Sequence, residues 1–142
     1  MKRGGVDSQD PLLLLLLPAR LEQLPQRAPI EQLLAAPGVV AVEPPRVPLS
    51  ATLAGVVAHR QAKRMRLPGV PHAIAVFDAH QIPLAAALIG RHPAAELWSL
   101  AGPQNEADFT LDLAAAPDLR PAWERIERLG IASGRLGSER IR

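Results

Sequence analysis

The chain contains four short apolar runs, each closed by proline, glycine or a charged residue. They occupy the segments Pro11–Pro18, Gly38–Glu43, His72–Asp78 and Glu96–Ala101. Within each run the apolar residues are nearly continuous and do not alternate with polar ones, which is typical of strands covered on both faces. The pattern therefore predicts four buried β-strands.

Segments with apolar residues at helical spacing lie between and after these runs. They are Leu21–Ala36, with its helix starting at about Pro29, Leu49–Arg66, Pro83–Arg91 and Pro121–Leu129. In the second of them, Leu49, Leu53, Val56 and Val57 form the expected apolar face, and Pro48 or Ser50 could begin the helix.

Strands and helices that alternate every 25–35 residues or so are the pattern of βαβ units. Because the crossovers of such units are right-handed, the pattern predicts an α/β fold. We expect a three-layer open parallel sheet of about four strands with helices on both faces, a Rossmann-like half domain. The stretch Phe109–Leu113 is either a loop or a short edge strand.

The domain organisation follows from the length and the polar ends. A chain of 142 residues can form one domain with a sizeable core. We expect a polar leader at 1–10, a single domain at 11–130 and a flexible tail at 131–142. The apolar run Leu12–Leu17 is far shorter than the roughly 20 residues of a transmembrane helix and lacks the features of a secretory signal. The sequence therefore predicts a cytoplasmic protein with no transmembrane segment.

The composition excludes several classes of function. The absence of cysteine excludes disulfides, thiolate catalysis and zinc–thiolate sites. The four histidines show no metal-ligand spacing, so we expect no metal site. Aromatic residues make up only 3% of the chain, which argues against nucleic-acid platforms that stack bases on exposed rings. The net charge is only +2, so the high pI of about 9.9 is poor evidence for nucleic-acid binding, and we expect no nucleic-acid partner. The basic stretch at 59–66 is either a solvated helix face or a surface for phosphates or anionic membranes.

Candidate site residues follow from the topology, because ligands of open parallel sheets bind outside the carboxyl ends of the strands. The residues that follow or end the four predicted strands are Arg20, Arg27, Glu43, Asp78, His80 and Ser99.

Asp78 and His80 are the predicted catalytic pair. His80 could act as general base on a hydroxyl group, with Asp78 fixing the tautomer of its imidazole. Alternatively, Asp78 caps the helix that begins near Pro83, and His80 is an exposed loop residue.

Arg20, Arg27, Glu43 and Ser99 are the predicted substrate-binding residues. Glu43 precedes the stiff Pro44–Pro45 segment and could accept a hydrogen bond from a ribose or sugar hydroxyl. Alternatively, its carboxylate is solvated or paired with a nearby arginine.

Two longer segments carry a family resemblance. Leu21–Arg46 contains an Arg27–Ala28–Pro29 step at the first helix and a second strand that ends in Val-Glu-Pro-Pro, and His72–Leu100 supplies a strand, a proline-containing helix and a further strand. Over about residues 11–101, the chain resembles the amino-terminal domain of bacterial glycosyltransferases with two Rossmann-like domains, in truncated form.

The resemblance implies the acceptor-side half of a sugar transferase that uses a nucleotide-sugar donor. In that family the second Rossmann-like domain holds most of the donor, so this chain would need such a domain or subunit and could be inactive alone. Arg27, Glu43, Asp78 and His80 would line the cleft floor, with Asp78 or His80 as base if the mechanism inverts. The nucleotide sugar would be a co-substrate, the acceptor a sugar or glycan, and no cofactor would be bound tightly.

Two other classes of function stay open. One is a non-enzymatic flavodoxin-like module that acts through a protein partner. The other is an anion- or nucleic-acid-binding protein that uses the 59–66 face, with binding that weakens steeply as salt rises.

Overall fold

The computed structural model describes residues 10–44, 51–102, 106–114 and 118–131, and only the backbone of residues 51–54. The predicted leader apart from Asp10, the predicted tail apart from Ile131 and the predicted helix starts at Pro48 or Ser50 lie outside these residues. Ile131 itself is fully buried.

Five strands and four α-helices make up the described part of the chain. The strands are β1 (Pro11–Leu16), β2 (Val39–Val42), β3 (Val70–Val76), β4 (Glu96–Ser99) and β5 (Phe109–Thr110). The helices are α1 (Arg27–Leu34), α2 (Ala51–Arg64), α3 (Ile82–Arg91) and α4 (Arg120–Arg128). Two 3₁₀ turns, Leu21–Gln23 and Ala79–Gln81, precede α1 and α3.

All five strands are parallel neighbours in one sheet, in the order β2-β1-β3-β4-β5. The predicted α/β fold with a parallel sheet is confirmed. The sheet has one strand more than the four apolar runs, because the stretch at Phe109–Leu113, expected to be a loop or a short edge strand, contributes the two-residue edge strand β5.

The leucine run of β1 explains why the sheet has helices on both faces. Every residue of Leu12–Leu17 exposes at most 4% of its surface. Successive side chains of a strand point to opposite faces. Leu13 belongs to one core cluster with residues of α1 and α4, whereas Leu14 belongs to a second cluster with residues of α2 and α3. The leucine run therefore lies in the sheet, which is the middle one of three layers.

The packing of α2 differs from the predicted one. Its buried residues among those with described side chains are Ala58 and Ala62, whereas Val56 is 54% exposed and Val57 is half-buried. The buried stripe thus lies on small residues, and α2 packs more closely against α3 than against any strand of the sheet. The predicted apolar face at Val56 is wrong, because side-chain size and not only hydrophobicity determines which stripe of the helix is buried.

The strand order fixes where a ligand would bind. After β2 the chain crosses back over β1 to form β3, so the direction of winding reverses between β1 and β3. Such a switch point opens a crevice at the carboxyl ends of the two strands. Within the part of the chain that is described, no helix is both long and apolar enough to cross a lipid bilayer.

Candidate functional site

The carboxyl edge of the sheet gathers most of the predicted site residues. Arg20 follows β1, Glu43 follows β2, and Asp78 and His80 follow β3, while Ser99 is the last residue of β4. They do not form one cluster. Since β2 and β3 both pair with β1, the ends that carry Glu43 and Asp78 are two strand spacings apart, about 10 Å.

Gln81 closes the switch point between β1 and β3. Its side chain is 7% exposed, and its amide nitrogen donates a hydrogen bond to the carbonyl of Leu16, the last residue of β1. Its side-chain oxygen accepts hydrogen bonds from the backbone N–H groups of Phe77 and Asp78, the latter at 3.2 Å. The side-chain carboxamide of Gln81 therefore occupies the crevice in which folds with this strand order can bind a ligand.

Asp78 and His80 are close together through a turn of the backbone. Asp78 Oδ1 accepts a hydrogen bond of 2.8 Å from the backbone N–H of His80, and it caps the 3₁₀ turn that leads into α3. His80 Nδ1 lies 3.6 Å from the same oxygen, longer than a hydrogen bond. Both side chains are about one-third exposed. This geometry gives Asp78 the predicted capping role, although the cap is on the 3₁₀ turn and not on the helix at Pro83.

A small cavity of about 190 Å³ lies between the carboxyl ends of β3 and β4, and Asp78 and Ser99 both line it. The Ser99 hydroxyl is buried and donates a hydrogen bond of 2.6 Å to the carbonyl of Gly102. Gly102 has a φ of +108°, a backbone conformation that favours glycine. Because small-molecule sites typically measure about 300–1,000 Å³, this cavity has room for a part of a ligand only.

The two predicted arginines lie outside both cavities. Arg27 is the first residue of α1, and its Nε is 3.0 Å from Glu31 Oε2, one turn further along the helix. The hydrogen bond and the charge of Glu31 raise the pKa of the Arg27 guanidinium. Arg20 is exposed beside the 3₁₀ turn Leu21–Gln23. Among the described residues, neither arginine lines the small cavity or the larger groove on the other side of β1.

That larger groove, here called the β2–α2 groove, has a volume of about 490 Å³. It runs between the carboxyl end of β2 and the second half of α2. Its lining residues are Val42, Glu43, Pro44, Val57, Arg60, Gln61, Arg64, Met65 and Arg66.

The charges of the β2–α2 groove are unbalanced. Three arginines and one glutamate line it, and within residues 10–44, 51–102, 106–114 and 118–131 no ion pair joins Glu43 to Arg60, Arg64 or Arg66. The sequence shows both the glutamate at the strand end and the basic stretch, but only the fold brings them to one groove. The signal that could have found it is the i,i+4 spacing of Arg60 and Arg64 on the helix that directly follows β2.

The described residues hold no group of three or more histidine, aspartate or glutamate side chains that could bind a metal ion. Comparison with known proteins gives no further identification: no family model, no curated protein and no solved structure matches the chain.

Proposed function

We propose that the chain is a glycosyltransferase-like α/β domain of bacterial type, which supplies the acceptor side of a sugar transferase in the cytoplasm. The observation that supports this best is the pair of cavities on either side of β1, each with a carboxylate from a strand end in its wall: Glu43 in the β2–α2 groove and Asp78 in the small cavity. Ionised carboxylates are pure acceptors, suited to the hydroxyl groups of a sugar or glycan.

The dimensions support a half site and not a complete enzyme. A nucleotide sugar is too large for the cavity of about 190 Å³ at Asp78, and Gln81 fills the neighbouring crevice. The donor would therefore be held by a second Rossmann-like domain or subunit that faces the carboxyl edge, and it would be a co-substrate and not a tightly bound cofactor. In an inverting transfer, Asp78 or His80 would be the base that takes the proton from the acceptor hydroxyl.

Ligand-binding measurements on matched variants test this proposal. Calorimetry with a panel of free sugars and nucleotide sugars should detect binding that weakens at least tenfold in Glu43→Gln or Asp78→Asn. Glu124→Gln, which removes an exposed carboxylate from α4, should bind as the unmodified protein does. Absence of binding to every member of the panel, or equal weakening in Glu124→Gln, would contradict the proposal.

A second candidate function is a non-enzymatic flavodoxin-like module that acts through a protein partner. The strand order β2-β1-β3-β4-β5 is the flavodoxin-like one, and the hydrogen bonds of Gln81 favour a closed switch point with no ligand there. Light scattering of the purified protein distinguishes the two. A tight homodimer or a co-purifying protein together with no response to any sugar would favour the module.

A further inference from the structure

The β2–α2 groove has the size of a small-molecule site, and both apolar and charged residues line it. Its volume of about 490 Å³ lies within the usual range for ligand pockets, unlike the small cavity at Asp78. Val42, Val57 and Met65 supply apolar surface, and the charged residues are concentrated on the helix side. A ligand that complements this lining has an uncharged part and a charged group at one end.

Arg60, Arg64 and Arg66 form the charged side of the groove. Arg60 and Arg64 lie one turn apart on the same face of α2, and Arg66 follows the end of the helix. Like charges at this spacing destabilise a helix on its own. Positive charges in the last turn of a helix interact favourably with the helix dipole, and the exposed Lys63 and Arg64 both lie in the last turn of α2. Arg60 lies one turn earlier. The dipole therefore does not account for Arg60.

The charge balance indicates the class of anion. Among the described residues that line the groove, the three arginines and Glu43 together give two excess positive charges. A phosphomonoester carries about −1.5 to −2 at pH 7, whereas a carboxylate carries only −1. The guanidinium group also matches a phosphate with two parallel hydrogen bonds, which a lysine ammonium cannot do.

We infer that the β2–α2 groove binds the phosphomonoester of a phosphorylated sugar or nucleoside, with Arg60, Arg64 and Arg66 around the phosphate and Glu43 accepting hydrogen bonds from the sugar hydroxyls. The assignment of the sugar part rests on the proposed function, which it deepens by naming a phosphorylated ligand. The phosphate part stands on the charges and dimensions of the groove alone.

A small ligand fits the groove better than a nucleic acid does. The backbone of a nucleic acid needs an extended row of cations and, for single strands, exposed aromatic rings. The described aromatic side chains Phe77, Trp98, Phe109 and Trp123 are all buried or half-buried, and none lines this groove. The three arginines are confined to one concave surface.

Calorimetry with ribose 5-phosphate, inorganic phosphate and ribose as probes tests the inference. We expect ribose 5-phosphate to bind more tightly than inorganic phosphate and ribose to bind most weakly. Arg60→Gln and Arg64→Gln should each weaken the binding of ribose 5-phosphate at least tenfold. Lys63→Gln removes the same charge from the same helix outside the groove lining, and it should change the affinity less than twofold.

The outcomes separate this inference from the proposed function. No binding of ribose 5-phosphate up to about 10 mM, an equal effect of Lys63→Gln, or steeply salt-dependent binding of heparin or single-stranded DNA that displaces the probe would overturn the phosphate site. If free sugars still bind in a manner that depends on Asp78, the proposed function survives that failure. If phosphate binds through Arg60 and Arg64 but no sugar or nucleotide sugar adds affinity, the phosphate site stands and the proposed function fails.

Discussion

The side-chain amide of Gln81 donates a hydrogen bond to the carbonyl of Leu16, a residue 65 positions earlier in the chain. The same carboxamide accepts from the backbone N–H groups of Phe77 and Asp78. One polar side chain thus joins the carboxyl ends of β1 and β3 at the place where a doubly wound sheet would otherwise open. Any ligand that uses this crevice has to displace it.

Removal of the Gln81 carboxamide should destabilise the protein. Gln81→Ala leaves buried backbone donors and an acceptor without partners, and each such group costs about 1–3 kcal/mol. We expect a loss of about 2–4 kcal/mol in the free energy of unfolding, measured by urea denaturation. Gln32→Ala, at an exposed position of α1, is the matched control and should change the stability by less than about 0.5 kcal/mol. Equal stability of the two variants would show that the Gln81 contacts are not made in solution.

Both faces of β1 should be equally sensitive to truncation. Leu13 and Leu14 are each 0% exposed but belong to different core clusters on opposite faces of the sheet. Leu13→Ala and Leu14→Ala should each cost about 2–5 kcal/mol, because neither cavity can close fully. Urea denaturation checks this, with Val56→Ala at a 54% exposed position as the control. A cost below about 1 kcal/mol for either leucine would contradict the three-layer arrangement.

Glu96 and Arg125 should be energetically coupled. Arg125 Nε and Nη2 donate to the two carboxylate oxygens of Glu96 at 2.8 and 3.1 Å, and the guanidinium lies 5.5 Å from the centre of the Phe109 ring. Both charged side chains are only 24% exposed, so solvent screens them incompletely. A double-mutant cycle with Glu96→Gln and Arg125→Gln should give a coupling of about 1–2 kcal/mol. Additive effects would mean that the pair does not stabilise the edge of the sheet.

His92 should make the protein less stable in mild acid. Burial, with a smaller effect from the charge of Arg91, lowers the pKa of His92 below its ordinary 6.5. Between that value and the lower folded pKa, the unfolded chain binds a proton that the folded chain does not, so stability falls as the pH decreases through this window. The midpoint temperature should therefore fall less from pH 7.5 to pH 5.5 in His92→Gln than in the unmodified protein. An identical pH dependence in the two proteins would contradict the pKa shift, which NMR titration of the imidazole measures directly.

The sequence predicts the strands of this fold well, because a short, continuous apolar run can form few structures other than a buried strand. A run such as Leu12–Leu17 is too short for a membrane span and has no polar face, so it has to be buried on both sides. The helices are predicted less well. α2 buries the small residues Ala58 and Ala62 and exposes Val56, and the local hydrophobicity of the sequence does not indicate this choice.

The candidate site is predicted only in part, because it depends on strand order. Because Glu43 and Asp78 follow parallel strands, the sequence predicts that both lie at the same edge of the sheet. It does not predict that they lie on opposite sides of β1, since that depends on the strand order. The position of Gln81 could not be predicted either. A glutamine next to an apolar helix looks like an ordinary surface residue until its partner Leu16 is brought to it by the fold.

Mapping of chemical-shift changes would show whether the protein binds its ligand at the carboxyl edge of the sheet on the β2 side. Uniformly ¹⁵N-labelled protein would be titrated with ribose 5-phosphate. We expect the largest amide shifts at residues 42–44 and 57–66, while residues at the opposite edge of the sheet, such as Phe109 and Thr110 of β5, stay unchanged. Shifts spread evenly over exposed arginines such as Arg91 and Arg120, or centred on the opposite edge, would contradict this binding site.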